Sequence, residues 1–135
     1  MKFTLYITAL AMFCALSATG QAQSLNQAAF IGNSTDYEFG HNSTPNIPIA
    51  GAPSDTDWNR WAMLHDGSVY SLYFFQRGSA DTLYQFGFNR RTSRYEFGHQ
   101  SIPTPRIIGA PRDADTSSFA MLHDGKDFRF YFRAS

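Results

Sequence analysis

The sequence predicts an all-β protein built from two tandem repeats of 58 residues. Residues 37–74 and 95–132 align without a gap and share 21 identities in 38 positions. An internal repeat of this kind indicates a fold made from one recurring structural unit. Short runs rich in Tyr, Phe, Leu and Val alternate with clusters of Gly, Pro, Asn and Asp, and no sustained helical period is present after residue 22. This alternation is typical of strands joined by turns.

The first 22 residues are predicted to be a secretory signal peptide. Lys2 precedes an apolar run at residues 3–16, and small or polar residues follow up to Ala22. The apolar run is too short for a membrane span. We therefore expect a secreted or periplasmic protein whose residues 23–135 form a single domain, with its repeats at about 24–81 and 82–135. The only cysteine, Cys14, would leave with the leader, so the core alone must hold the domain together.

The clearest unit is a four-stranded antiparallel meander in the middle of the chain. Residues 60–65 and 69–76 flank Asp66-Gly67, a pair that favours a two-residue hairpin turn. Such a turn would place Met63 opposite Tyr70. Trp61 and Met63 should lie on the core face, because this face is apolar in both repeats. Two further strands are predicted at residues 82–88 and 94–99.

The two ends of the chain each carry half of another such unit. Residues 26–31 and 36–41 correspond to the last two strands of the meander, and residues 118–123 and 127–133 to the first two. Isolated hairpins are marginally stable in water. We therefore expect the terminal hairpins to meet and close a second four-stranded, blade-like antiparallel sheet.

The resulting architecture would be propeller-like or a sandwich. Assembly of several chains into a homo-oligomeric ring is a further alternative. The chain begins and ends with half a unit. In this plan the protein resembles small repeat lectins built from tandem blade-like units. That resemblance implies ligand binding rather than catalysis.

Composition and motifs narrow the classes of function. The formal net charge is zero, which gives no electrostatic case for nucleic acid or an anionic membrane as partner. We find no serine in a nucleophile elbow, no glycosidase-like carboxylate pair and no phosphate-binding loop, so the protein is predicted not to be an enzyme. Glycosylation sequons at Asn33 and Asn42 would matter only in a eukaryotic secretory route.

The crossover between units carries most of the candidate ligand-binding residues. Its carboxylates recur in both repeats and suit either a structural turn or a calcium ion, and no other cofactor is expected. Trp58 aligns with Thr116, so we expect an exposed ring there that could stack on a sugar, whereas Trp61 aligns with Phe119 and is predicted to be core. The candidates are Asp55, Asp57, Trp58, Arg60, Asp113, Asp115, His41 and His99.

Two other repeated pairs are weaker candidates. Glu38 and His41 have a metal-binding spacing, but residues three apart on a strand point to opposite faces. His65 and His123 are expected to cap their hairpins. The leading hypothesis is a secreted, non-catalytic protein that binds carbohydrate or a cell-surface component. The alternatives are a structural or protein-interaction module and a hydrolase that uses the loop Asp and His residues.

Overall fold

The protein is all-β in a computed structural model that describes residues 23–30, 32, 36–40, 46–111 and 113–134. The predicted signal peptide, both sequons and His41 lie outside these residues. No helix occurs in the described chain, and hence none that could cross a membrane. The strands are β1 (Gln23–Asn26), β2 (Ala28–Phe30), β3 (Tyr37–Phe39), β4 (Asn46–Ala50), β5 (Thr56–His65), β6 (Tyr70–Gln76), β7 (Leu83–Asn89), β8 (Arg94–Phe97), β9 (Ala114–His123) and β10 (Phe128–Ala134).

A curled six-stranded sheet dominates the fold, in the order β1-β4-β8-β7-β6-β5. Strands β5 to β8 form the predicted antiparallel meander, which is thereby confirmed and is called the central meander below. Strand β4 was not predicted. It pairs in parallel with β8 through Ile49 and Tyr95, and antiparallel with β1. The crossover is therefore part of the sheet rather than a plain loop.

The predicted register of the β5–β6 hairpin is wrong by two residues. Met63 lies opposite Leu72, not Tyr70, and His65 lies opposite Tyr70. The turn is centred one residue later than predicted, because the Asp66 carboxylate accepts hydrogen bonds from the amides of Ser68 and Val69 and the Asp66 amide donates to the Val69 carbonyl. A shift of two residues leaves every side chain on its predicted face.

Both faces of the central meander carry a core cluster. The first core cluster is built around Leu72, Phe74 and Phe86, and the second around Leu64, Tyr73 and Phe75. Alternate residues of one strand point to opposite faces, so β6 feeds both clusters. The prediction of a single core face, with Met63 inside and Leu64 on the wetter side, is therefore wrong along β5.

The terminal segments cover these two faces separately. From the N-terminal half unit, defined as β1 to β3, Leu25 packs against the first core cluster. From the C-terminal hairpin, β9–β10, Phe119, Met121 and Phe130 pack against the second. Strands β2–β3 and β9–β10 form two separate two-stranded sheets. The expected four-stranded sheet made from both ends is therefore not formed within the described chain, because the ends lie on opposite faces of the central meander.

The pairing pattern nevertheless recurs at the spacing of the sequence repeat. Trp61 lies opposite Phe74 and Asp57 opposite Phe75, and 58 residues later Phe119 lies opposite Phe132 and Asp115 opposite Arg133. The irregularity between these two pairs is also in the same place. Likewise, the pair Gly87–Glu96 in β7–β8 corresponds to Ala29–Glu38 in β2–β3. Each terminal hairpin thus has the geometry of the matching half of the central meander.

Candidate ligand-binding clefts

Asp55 anchors the crossover to the sheet. One carboxylate oxygen accepts a hydrogen bond from the Gln76 amide at 2.7 Å and the other from the Tyr84 hydroxyl, also at 2.7 Å. The hydrogen bond from Gln76 is the main cause of a lowered Asp55 pKa. Desolvation, together with the hydrogen bond to Asp55, raises the Tyr84 pKa to about 12. Both oxygens are engaged by the strands beneath the loop, which is a structural role.

Asp57 and Arg60 form a second structural network. The Arg60 Nε donates to Asp57 at 2.8 Å, which holds the Asp57 pKa below its ordinary value. Arg60 also donates to the Thr116 hydroxyl at 3.1 Å and to the Gln76 and Ser79 carbonyls at 3.2 and 3.0 Å. Its guanidinium lies 4.5 Å from the centre of the Phe75 ring. Arg60 therefore joins β5 to β9 and to the β6–β7 loop.

The second copy of the acidic loop is more open. The Asp115 carboxylate accepts hydrogen bonds from the Ser117 hydroxyl and amide, which are the main cause of its lowered pKa, and from Arg133 at 2.7 Å. Asp113 is exposed. The part of the chain that is described holds no group of three or more side chains arranged to bind a metal ion.

The repeated histidines lie beside aromatic rings or acidic residues. His65 stacks on Tyr70 with ring centres 4.1 Å apart, and His123 packs against Phe128 at 4.7 Å. His99 is partly buried, with Nδ1 3.9 Å from a carboxylate oxygen of Glu96. The ion-pair partner of His99 is Glu96 and not a crossover aspartate, so the structure does not gather the described candidates into one site.

The two tryptophans have the reverse of their predicted environments. Trp58 is partly buried and packs edge-on against Phe74, with ring centres 4.9 Å apart. Trp61 is 45% exposed. The prediction failed because β5 begins at Thr56, four residues earlier than expected, so Trp58 lies in a strand and not in a loop. The exposed aromatic platform is Trp61.

Trp61 lines an apolar cleft between the N-terminal half unit and the central meander, called the first cleft, with a volume of about 310 Å³. A second cleft of about 450 Å³ lies between the central meander and the C-terminal hairpin. Five lining positions of the two clefts correspond at the 58-residue spacing. They are Leu25 and Leu83, Gln27 and Gln85, Ile47 and Pro105, Met63 and Met121, and Tyr70 and Phe128.

The clefts combine an apolar floor with amide groups. In the first cleft, the exposed rings of Trp61 and Tyr70 adjoin the side chains of Asn26 and Gln27. An aromatic face can stack on the apolar face of a ligand, and side-chain amides can both donate and accept hydrogen bonds. A concave, mostly apolar site with a few polar groups is the usual form of a small-molecule pocket.

Sequence reasoning missed the cleft residues although a signal for them was present. Met63 recurs as Met121, and the ring of Tyr70 recurs as Phe128. These residues were predicted to be core because they are apolar. A sequence does not show which apolar residues of a face are covered and which line an open groove. No family model matches the chain, and neither a curated protein nor a solved structure is significantly similar to it.

Proposed function

We propose that the protein is a secreted or periplasmic, non-catalytic, lectin-like protein that binds carbohydrate in its two clefts. The observation that carries the proposal is the recurrence of one cleft lining, an aromatic ring, a methionine and a glutamine, at the spacing of the sequence repeat. Pyranose rings offer an apolar face to aromatic side chains and hydroxyl groups to amides. The sequence-based resemblance to small repeat lectins supports the same class of protein.

Trp61 and Tyr70 are the proposed stacking groups of the first cleft, and Phe128 is the proposed stacking group of the second. Gln27 and Gln85 are the proposed hydrogen-bonding groups. A hydrolase mechanism draws less support, because Asp55 and Asp57 already hold the crossover and Arg60 in place. The proposed sites are therefore the clefts and not the acidic loops.

A glycan array tests the proposal, with and without calcium because of the aspartates in the crossover loops. We expect binding to a defined group of glycans and a titrated stoichiometry of two per chain. Loss of one aromatic stack costs about 1 kcal/mol, or roughly fivefold in affinity. Tyr70→Ala should therefore weaken one of the two sites and Phe128→Ala the other, while Tyr70→Phe retains binding.

Lys126→Ala is the matched control, because Lys126 lies in the exposed β9–β10 turn and lines neither cleft. Its affinity and stoichiometry should equal those of the wild type. The proposal is refuted if no glycan binds in either condition, or if Tyr70→Ala and Phe128→Ala both leave binding unchanged. Binding of a protein without any glycan would favour the interaction-module alternative.

A further inference from the structure

The central meander shows how the two halves of a unit join. Its first half, β5–β6, meets its second half, β7–β8, through antiparallel pairing of β6 with β7, in which Ser71 lies opposite Gly87 and Tyr73 opposite Gln85. The C-terminal hairpin is a first half and the N-terminal half unit is a second half. In the described part of the chain, β10 pairs only with β9, and β2 only with β3.

One chain cannot bring its own two halves together in this arrangement. Leu25 packs on the first core cluster and Phe130 on the second, and these clusters lie on opposite faces of the central meander. A second copy of the chain carries the missing half with the required geometry, because both terminal hairpins have the pairing registers of the central meander.

The exposure of equivalent residues indicates the same missing contact. Tyr131 is 52% exposed, whereas its equivalent Tyr73 is 5% exposed. Leu122 is 51% exposed, whereas its equivalent Leu64 is 5% exposed. A contiguous exposed apolar patch commonly marks an interface, and Leu122 and Tyr131 lie on the same face of the β9–β10 hairpin, since they pair with Arg129 and Ala120. The C-terminal hairpin thus covers Leu64 and Tyr73 of the central meander, whereas the equivalent residues of the C-terminal hairpin, Leu122 and Tyr131, are about half exposed.

The junction inside the chain and the corresponding junction between two copies differ in one pair of facing side chains. At the junction inside the chain, Phe75 packs edge-on against Phe119 with ring centres 5.0 Å apart. The repeat spacing places Arg133 at the position of Phe75 and Trp61 at that of Phe119. An arginine facing a tryptophan forms a favourable cation–π pair, so the junction between copies keeps a complementary contact.

We propose that the chain assembles head to tail, with β10 of one copy paired antiparallel to β1–β2 of a second copy. Transfer of the β6–β7 register places Arg129 opposite Ala29, Tyr131 opposite Gln27 and Arg133 opposite Leu25 of the second copy. Each junction completes a four-stranded sheet and pairs two open strand edges, which soluble proteins otherwise protect. The contact joins two different surfaces, so it is heterologous and closes a ring or extends as a filament. Propellers have roughly four to eight blades, which two-unit chains would supply with about two to four copies.

The assembly also completes the first cleft. Asp66, Ser71 and Tyr73 line the second cleft from the central meander. Their equivalents Asp124, Arg129 and Tyr131 would line the first cleft from the neighbouring copy. The cleft between copies would thereby carry Arg129 where the second cleft carries Ser71, whereas the second cleft has its own arginine, Arg106, at the position of Pro48.

Light scattering after size exclusion tests the assembly on ligand-free protein, so its result is independent of the proposed carbohydrate. We expect a particle of about two to four chains, or a filament, and a monomer for Tyr131→Lys with an unchanged far-ultraviolet circular dichroism spectrum. Lys126→Ala should keep the wild-type mass. A wild-type monomer at about 50 µM protein, roughly fiftyfold above a micromolar dissociation constant, would overturn the proposal.

Cross-linking tests the register in a Cys14→Ser background. A chain with Arg129→Cys mixed with one carrying Ala29→Cys should form a mixed disulfide dimer, because directly opposed strand residues meet the distance requirement of a disulfide. Each variant alone should not form this dimer, since its cysteine lies on only one side of a head-to-tail contact. Replacing the Ala29→Cys partner with Ala28→Cys moves the thiol to the other face and should abolish the cross-link. Self-cross-linking of each variant alone, or equal cross-linking through Ala28→Cys, would overturn the proposed register.

Discussion

Arg60 provides a sharp test of whether the crossover is structural or binds ligand. Its guanidinium donates to Asp57, Thr116 and two backbone carbonyls, so four of its five N–H donors are used within the described chain. The substitution Arg60→Met preserves most of the side-chain length and removes all of these contacts. It leaves a mostly buried carboxylate at Asp57 without its principal cation.

The expected loss lies between two measured limits. Exposed ion pairs contribute about 0–1 kcal/mol, whereas breaking a buried pair costs about 3–5 kcal/mol. The side chains of Arg60 and Asp57 are 17% and 21% exposed, so we expect Arg60→Met to lower the free energy of unfolding by about 2–4 kcal/mol. For a domain of this size the melting temperature would fall by roughly 10–25 °C.

Urea unfolding followed by tryptophan fluorescence measures this change, since Trp58 packs on the core beside the network. Protein concentration must be equal in all samples, because self-association raises apparent stability. Arg94→Met is the matched control: Arg94 pairs with Glu96 on the surface and should cost less than about 1 kcal/mol. A loss at Arg60→Met no larger than that of the control, accompanied by lost glycan binding, would refute the structural role.

Two further outcomes follow from local geometry. Gly87→Ala should lower the free energy of unfolding in urea by about 1–3 kcal/mol or more, because its new Cβ would lie 2.0 Å from the His99 carbonyl oxygen. Gly32→Ala is the control: its new Cβ meets nothing within 4 Å, and the substitution should be close to neutral. Hydrogen bonds, chiefly from Asn89, lower the Glu96 pKa to about 2, so its stabilisation is present above the unfolded-state pKa and is lost as the pH falls from about 4.5 to about 2. Glu96→Gln should lose less stability than the wild type over that range in pH-dependent unfolding, and an equal loss in the two proteins would contradict this assignment.

The sequence was sufficient to predict the local structure of the central meander. Alternation of apolar residues and the Asp66-Gly67 pair identified the four strands of the central meander, and the repeat located the matching hairpins at both ends. The faces of β5 were predicted wrongly, because both faces of the central meander carry a core cluster. The register and the roles of the tryptophans were not predictable in the same way. The turn is shifted by the side-chain hydrogen bonds of Asp66, and Trp58 is drawn into β5 by packing on Phe74.

The sequence by itself determined that the protein is all-β and that its hairpins recur with one pattern, because strand periodicity and turn chemistry are local properties. Only the tertiary structure decided where those hairpins go. The two ends pack on opposite faces of β6, since Leu72 and Phe74 point to one side and Tyr73 and Phe75 to the other. That separation opens the clefts, exposes Trp61 and leaves the terminal half units apart. Such contacts depend on which apolar surfaces pack together in the folded chain, and local residue patterns do not determine that pairing.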